Sequence, residues 1–363
     1  MVSLWHAFDF TASLQAADLG VADLGAAEVG QVAASPRVAS RARLAPSFLR
    51  TELLSADEMR RHEALWHDLA GRALVPNLFF EPEFALAAAT HLAPAQAPRF
   101  LLIFDERGHP ASRLVLVAPL LASGFGVGEA KLWVPEPMLS STPLIDRDTA
   151  DIAIDAMFEA VRSGPARASG LLLPRLEEGG IFAGLVRQSI LRSGRNILRF
   201  ARPLDQTGLS ARQAPPAHDR VVAARGARQV REAVEQFLAI EALGPSGRSG
   251  EALLLSPSAS AFVRVVTRSL ARKRRCRVEL YLSNGKPVGG DITLRSGETE
   301  MLWKTARSEA PLTDGVAEPS AAVTVDWLVA ARPGRSPAML AFAARDHFGR
   351  RLRALVKRVV TKG

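Results

Sequence analysis

The chain has 363 residues, 48% of them hydrophobic and 23% charged, an ordinary globular composition long enough for two domains. Its single cysteine, Cys276, excludes an intrachain disulfide, and no apolar run approaches the roughly 20 residues that a membrane-spanning helix needs. The formal net charge of +9 suits anionic partners, but the chain has one tyrosine, and so few aromatic side chains argue against base stacking and nucleic-acid binding.

The first 45 residues are rich in Ala, Gly and Ser and show little hydrophobic periodicity. Such a segment buries little apolar surface, so residues 1–45 are predicted to form a flexible tail. Ser55 is followed three residues later by Glu58, the pattern of a capping box at the start of a helix. Pro82 begins a second, Ala-rich helix that ends at Leu92.

The rest of the first half alternates short apolar runs with amphipathic segments. Two strands are predicted around a turn at 105–110, and a third around 131–134. The remaining predicted elements are helices over 148–161 and 182–192 and strands over 169–176 and 197–200. Strands and helices mixed in this way indicate an α/β fold with a mixed sheet.

Residues 202–220 are polar and contain prolines, and they are predicted to be a linker. A helix over 230–242 follows and ends in a glycine-rich loop. The other predicted elements are a helix over 258–273, a hairpin that turns at Asn284-Gly285, a third strand, a helix over 319–331, a strand over 338–342 and a basic C-terminal helix.

The order of elements in the second half repeats the order in the first: helix, helix, hairpin strands, helix, strand, helix. This repetition indicates two similar domains in tandem. We expect an N-terminal domain over 46–201 and a C-terminal domain over 221–363.

Several segments of the chain match a known pattern in combination. A helix ending at Glu241 runs into a loop that closes with Gly247-Arg248, and further on a hairpin leads to a strand carrying Lys304. Together these segments resemble the BioF2-like, CelD-type acetyltransferases of the GNAT superfamily, relatives of the FemAB peptidyltransferases. The likeness extends over most of residues 75–355. It implies two tandem GNAT-like domains, acetyl-CoA as the acyl donor, and a small-molecule or sugar-derived acceptor.

Three stretches depart from the family pattern. After the lysine strand, Leu312-Thr-Asp-Gly315-Val stands in place of a Tyr-Ser-Pro-Gly type stretch. The Trp-Lys of the family's loop is replaced by Pro245-Ser246. The family's C-terminal Asp-Phe-x-x-Gly-Asp-x-x-Tyr-Lys becomes a stretch that keeps Asp346 but lacks the first Asp, the Gly and the Tyr. Polar side chains are therefore missing near the expected cleft, which either shifts the substrate or removes catalysis.

The resemblance assigns roles to nine residues. They are Lys304 and Glu241 as catalytic residues, Arg248, Gly247, Asp291 and Asp346 for substrate binding, and Thr305, Gly315 and Ser320 for binding acetyl-CoA. A lysine beside a reacting carbonyl stabilises a developing oxyanion, and a carboxylate at a helix end can act as a base. Four of these residues have an ordinary alternative: an exposed strand lysine for Lys304, a surface carboxylate for Glu241, a solvated loop arginine for Arg248 and an outward-facing strand aspartate for Asp291. The arginines around Cys276 could lower the pKa of its thiol, but the sequence favours a strand-start cysteine without a role.

These observations predict an acyltransferase that moves an acetyl group from acetyl-CoA to an amine or hydroxyl of a sugar-derived, cell-envelope or exopolysaccharide precursor. The alternative is a degenerate, non-catalytic GNAT-fold protein that acts as a binding or scaffold subunit in polysaccharide production. The seven histidines show no zinc-ligand spacing, so no metal is expected. The N-terminal residues lack a basic leader followed by an apolar core, so a cytoplasmic location is expected. The oligomeric state stays open.

Overall fold

The computed structural model describes residues 48–93, 97–107, 112–121, 128–136, 138, 140–201, 215–309 and 324–334. The predicted tail, most of the predicted linker, and the predicted strand and helix beyond residue 337 lie outside these residues. The helices are α1 (Ala56–Met59), α2 (Glu63–Gly71), α3 (Pro82–His91), α4 (Ala150–Arg162), α5 (Ile181–Ser193), α6 (Ala227–Leu243), α7 (Pro245–Arg248) and α8 (Pro257–Arg272). The strands are β1 (Leu49–Leu54), β2 (Arg99–Asp105), β3 (Arg113–Leu121), β4 (Glu129–Leu132), β5 (Leu144–Ile145), β6 (Gly170–Glu177), β7 (Ile197–Ala201), β8 (Arg220–Ala224), β9 (Cys276–Ser283), β10 (Lys286–Ser296), β11 (Thr299–Arg307) and β12 (Thr324–Ala330).

The larger sheet has the strand order β1-β2-β3-β4-β6-β12-β7, with β5 paired to β3. β4 and β6 run parallel, and the chain crosses between them through α4. Strands β2 and β3 are buried on both faces, because α2 and α3 pack on one side and α4 and α5 on the other. The predicted capping box before α1 is confirmed: the Ser55 hydroxyl accepts from the Glu58 N–H, and the Glu58 carboxylate accepts from the Ser55 N–H.

The helix predicted over 319–331 is wrong, because Thr324–Ala330 is the strand β12. β12 lies between β6 and β7 in the larger sheet, which is otherwise built from residues 49–201. Its Trp327 side chain packs on one face of the sheet and its Leu328 side chain on the other, both buried. A strand buried on both faces is a nearly continuous apolar run, here interrupted by Asp326, and such a run cannot be told from a buried helix by periodicity alone.

The smaller sheet contains β11-β10-β9-β8, all antiparallel. Asn284 and Gly285 at the turn between β9 and β10 have φ values of 52° and 73°, as a type I′ hairpin requires, so the predicted hairpin is confirmed. α6 and α8 cover one face of this sheet and bury Phe237 and Phe262 against it. With one mixed sheet and one antiparallel sheet, both covered by helices, the predicted α/β fold class is confirmed.

The two sheets share one apolar core. Phe84 of α3 lies edge-on to Phe262 of α8, with ring centroids 5.2 Å apart, and edge-on to Trp303 of β11, with centroids 5.6 Å apart. Aromatic rings in this arrangement bury a large apolar area and add a favourable electrostatic term. The first half of the chain is therefore anchored to the second by side-chain packing as well as by the backbone.

A buried ion pair joins the same two parts of the molecule. Arg275, at the start of β9, donates to both carboxylate oxygens of Glu81 at 2.5 and 2.7 Å. The Ser296 hydroxyl donates to the same carboxylate at 3.1 Å. Because Glu81 is 5% exposed, its charge depends on these donors rather than on water.

We expect Glu81→Gln to lower the free energy of unfolding by about 3–5 kcal/mol, because it leaves the Arg275 charge without a counter-charge inside the protein. Urea unfolding of the full chain measures the change. The matched control is Glu235→Gln, which breaks the exposed two-bond pair with Arg264 and should cost less than about 1 kcal/mol. Equal losses of unfolding free energy in the two variants would show that the buried Glu81–Arg275 pair stabilises the protein no more than the exposed pair does.

Candidate active site

Glu241 lies in the last turn of α6, on the side of the helix that faces the core. It follows the buried Phe237 by four residues, which puts both on one helix face. Its carboxylate is half-buried and accepts a hydrogen bond from the Leu253 N–H at 2.9 Å. Burial raises the pKa of Glu241, and this effect exceeds the lowering by that hydrogen bond and by the charge of Lys304.

Lys304 faces α6 because of an irregularity in β11. Lys304 pairs with Ile292 and Leu302 pairs with Thr293, so Trp303 is an extra residue, a β-bulge. Cross-strand partners point to the same face, and Ile292 is buried under the helices. Lys304 is half-buried there, with its ammonium nitrogen 5.6 Å from the centroid of the Trp303 ring. Burial lowers the pKa of Lys304, partly offset by the carboxylates of Glu241 and Glu136.

Glu241 and Lys304 therefore form a pair of interacting charges, without a direct ion-pair contact between their side chains in the described structure, and burial opposes both charges. Burial makes the carboxyl easier to protonate and the ammonium easier to deprotonate, while their mutual attraction favours the charged forms. Groups perturbed by burial and by one specific partner are candidates for functional sites. Glu136, which follows β4 of the larger sheet, also acts on Lys304, so the lysine lies where parts of both sheets approach each other.

The glycine-rich loop after α6 is mostly the short helix α7. A Cβ atom on Gly244 would lie 2.0 Å from the carbonyl oxygen of Arg307, and one on Gly247 would lie 1.7 Å from that of Ala242. These two glycines therefore allow close backbone packing at the end of α6. Arg248 is exposed and donates a 3.4 Å hydrogen bond to the Leu243 carbonyl. Substrate binding by Gly247 and Arg248 stays a prediction.

We expect Gly247→Ala to destabilise the protein by about 1–3 kcal/mol, the usual cost of forcing extra volume into a packed site. The added methyl cannot fit beside the Ala242 carbonyl, so α7 must move. Thermal melting measures the effect. Gly184→Ala in α5 is the control, because its added Cβ would meet nothing within 4 Å. A Gly247 variant as stable as the Gly184 variant would contradict the packing explanation.

Asp291 is part of a separate polar cluster. The Tyr281 hydroxyl donates to its carboxylate at 2.9 Å, and Arg307 donates to it at 2.8 Å. Burial and the hydrogen bond to Asp291 raise the pKa of Tyr281 to about 12. Asp291 pairs with Thr305 across the strands, so both lie on the face of the smaller sheet away from Lys304. The structure thus separates Asp291 and Thr305 from the Glu241–Lys304 pair.

Three other predicted site residues, Gly315, Ser320 and Asp346, lie outside the described residues. Residues 324–330, which the sequence predicted to continue a helix, form β12 instead. Sequence reasoning missed Arg307 and Glu136. Arg307 ends the strand that carries Lys304, so its position three residues downstream was an available signal.

Burial raises the pKa of the Cys276 thiol to about 12. The lowering that the neighbouring arginines could cause is outweighed, because the sulfur is shielded inside the core. Within the residues that the structure describes, no group of three or more His, Cys, Asp or Glu side chains is placed to hold a metal ion. The helices of the described ranges are also too short or too polar to span a membrane.

The Glu241–Lys304 pair lies in an α/β domain. Its four-stranded antiparallel sheet is covered by two helices, and Lys304 is on the edge strand β11. Residues 210–332, which contain this sheet and this pair, match the family model of an acetyltransferase (GNAT) domain. This match confirms the resemblance of residues 210–332 to BioF2-like GNAT acetyltransferases. The relation to FemAB peptidyltransferases stays a prediction.

Known proteins outside this family model give little further information. Comparison with curated protein sequences gives no significant match. Among solved structures, the chain is similar to a tandem GNAT protein from the clavulanic acid biosynthesis pathway, determined without acetyl-CoA. The identity is 14%, the match covers 82% of this chain and 93% of that chain, and the TM-score is 0.35.

Proposed function

We propose that this protein transfers an acetyl group from acetyl-CoA to an amine or hydroxyl of a small, sugar-derived acceptor, a precursor of the cell envelope or of an exopolysaccharide. The observation that supports the proposal is the half-buried Glu241–Lys304 pair inside the GNAT domain. A cytoplasmic location and the absence of a nucleic-acid partner, both expected from the sequence, are part of the proposal.

Acetyl-CoA supplies the acetyl group as a thioester. Glu241 accepts the proton that the acceptor's nitrogen or oxygen releases as it bonds to the carbonyl carbon. Its raised pKa makes the ionised carboxylate a stronger base than an ordinary glutamate. The Lys304 ammonium stabilises the negative charge on the carbonyl oxygen until the carbonyl re-forms, the carbon–sulfur bond breaks and CoA leaves as a thiolate that takes up a proton. This charge is larger in the transition state than in the ground state, as catalysis requires.

The remaining predicted residues are proposed to bind either the acetyl donor or the acceptor. The Thr305 hydroxyl is buried without a hydrogen-bond partner in the described part of the chain, which supports a role in holding the donor. Gly315 and Ser320 are proposed for the same role on the resemblance alone. Gly247, Arg248, Asp291 and Asp346 are proposed to bind the acceptor. For Asp291, such binding must compete with its hydrogen bonds to Tyr281 and Arg307.

The structural hydrogen bonds of two candidate site residues favour the alternative, a non-catalytic scaffold protein in polysaccharide production. The Glu241 carboxylate already anchors the Leu253 N–H, and Asp291 is held by two side chains. These polar groups therefore serve the fold, whatever else they do.

Calorimetric titration with acetyl-CoA, followed by an assay of CoA thiol release with a panel of amino sugars and sugar precursors, separates the two functions. Saturable binding with acceptor-dependent thiol release supports the transferase. A protein that folds but binds no acetyl-CoA supports the scaffold.

A further inference from the structure

A second cleft lies at the opposite end of α6 from Glu241. It has a volume of about 760 Å³ and is enclosed by the start of α6, the end of α8, the start of β9, the end of β10 and the start of β11. Its lining includes six arginines, Arg225, Arg272, Arg274, Arg275, Arg277 and Arg295, and a single carboxylate, Glu300. This volume is in the range of small-molecule sites. So many like charges in one cleft repel one another unless an anion compensates them.

Only part of this charge is used by the fold. Arg275 is paired with Glu81, and Arg277 lies 3.7 Å from Glu279 and 3.7 Å from Glu300. Within the described residues, the exposed side chains of three arginines make no hydrogen bond or ion pair. These three are Arg225, Arg272 and Arg274. Their guanidinium groups are free to bind a ligand that enters the cleft.

Arg274 occupies its place in a backbone conformation that suits glycine. Its φ is 56°, its N–H donates to the Ala271 carbonyl, and the next N–H donates to the Leu270 carbonyl. This is a Schellman motif at the end of α8, in which glycine is the usual left-handed residue. An arginine there costs free energy that glycine avoids. The sequence thus keeps a cationic side chain at the cleft against a local conformational preference.

The remaining lining defines the ligand further. Gly226 and Ala227, at the start of the 17-residue α6, line the cleft, so the positive end of the helix dipole adds to the arginine charge. The lining contains no aromatic side chain, which argues against stacked bases of a nucleic acid. Guanidinium groups bind phosphate oxygens through paired hydrogen bonds. The recognised group is therefore a compact, multiply charged phosphate.

We propose that this cleft is a binding site for a diphosphate, free or as the diphosphate group of a small-molecule ester, held by Arg225, Arg272 and Arg274. The site is separate from the Glu241–Lys304 pair, because 14 residues of α6 at 1.5 Å per residue place Ala227 about 21 Å from Glu241. The inference goes beyond the proposed function and does not depend on it.

Calorimetry of the full chain with inorganic diphosphate at fixed ionic strength tests the site. We expect saturable binding that Arg274→Gly weakens by about tenfold or more, as loss of a hydrogen bond to a charged group does. The same variant should melt at an unchanged or higher temperature, because glycine adopts the φ of residue 274 without strain. Arg272→Ala combined with Arg274→Gly should weaken binding further. Competition by uridine diphosphate would identify an ester as the source of the group, and binding of inorganic diphosphate alone would identify the free ion.

Arg268→Ala is the matched control, because Arg268 is exposed on α8, one turn before Arg272, and does not line the cleft. It should leave diphosphate affinity within about twofold of the wild type, since a surface charge outside the cleft acts only through the screened field. Equal weakening of diphosphate binding by Arg268→Ala and Arg274→Gly would overturn the proposal, because binding would then depend on the overall positive charge and not on the cleft. Absence of saturable binding to the folded wild type would overturn it outright.

Discussion

Lys304→Met should lower the rate of acetyl transfer by about 10²–10³, the usual loss when one donor to a developing oxyanion is removed. Methionine keeps much of the apolar stem beside Trp303 and removes the charge, so the melting temperature should change little. Lys304→Arg should not restore the rate, because the planar guanidinium is larger and places its donors differently. The assay is CoA thiol release with the acceptor panel, accompanied by a melting curve for each variant.

The control for the loss of a lysine is Lys286→Met, since Lys286 is exposed at the hairpin turn. It should transfer acetyl groups at the wild-type rate. A Lys304→Met protein as active as the Lys286→Met protein would remove Lys304 from the mechanism, while leaving the match of residues 210–332 to the GNAT domain model untouched.

Glu241→Gln should lower the rate by about 10²–10⁴, the range for removing a general base. Glutamine keeps an oxygen that can accept the hydrogen bond from Leu253, so the end of α6 should hold its place. Glu232→Gln, on the same helix and exposed, is the matched control and should be fully active. A Glu241→Gln protein with wild-type activity would leave the carboxylate with only its structural hydrogen bond.

The same two residues predict the pH profile of kcat/KM. Glu241 acts when ionised, and because its pKa is raised, the rate should climb with pH over a range above the ordinary value of 4.5. Lys304 acts when protonated, and because its pKa is lowered, the rate should fall at a pH below the ordinary value of 10.5. The plot of kcat/KM against pH is thus bell-shaped, and it is narrower than the ordinary pKa values of the two groups would give. Lys304→Met should lose the alkaline limb and keep the acidic one.

Local patterns in the sequence were sufficient for most individual elements. The Ser55–Glu58 capping box, the hairpin at Asn284-Gly285 and the amphipathic α6 and α8 all follow from contacts within a few residues. The resemblance of the helix, loop and hairpin to GNAT acetyltransferases rests on the same local segments. These elements form as predicted because no contact with a distant segment of the chain favours a different local structure.

The placement of β12 needed the tertiary structure. Apart from Asp326, its residues from Val325 to Ala330 are all apolar, so neither a period of two nor of 3.6 residues stands out. Whether such a segment becomes a helix or a strand depends on what covers it. Here the space between β6 and β7 covers Trp327 on one face of the sheet and Leu328 on the other, and pairing with both neighbours satisfies its backbone.

The sequence by itself determined the residue types of the candidate site, a carboxylate at a helix end and a lysine on a strand, because these lie in recognisable local segments. The tertiary structure decided which of them meet. The bulge at Trp303 directs Lys304 towards α6, whereas Asp291 and Thr305 lie on the other face of the sheet. Packing also decided that Gly247 is needed for a close approach to the Ala242 carbonyl. Side-chain direction and backbone approach depend on contacts between segments far apart in the chain, which no local pattern encodes.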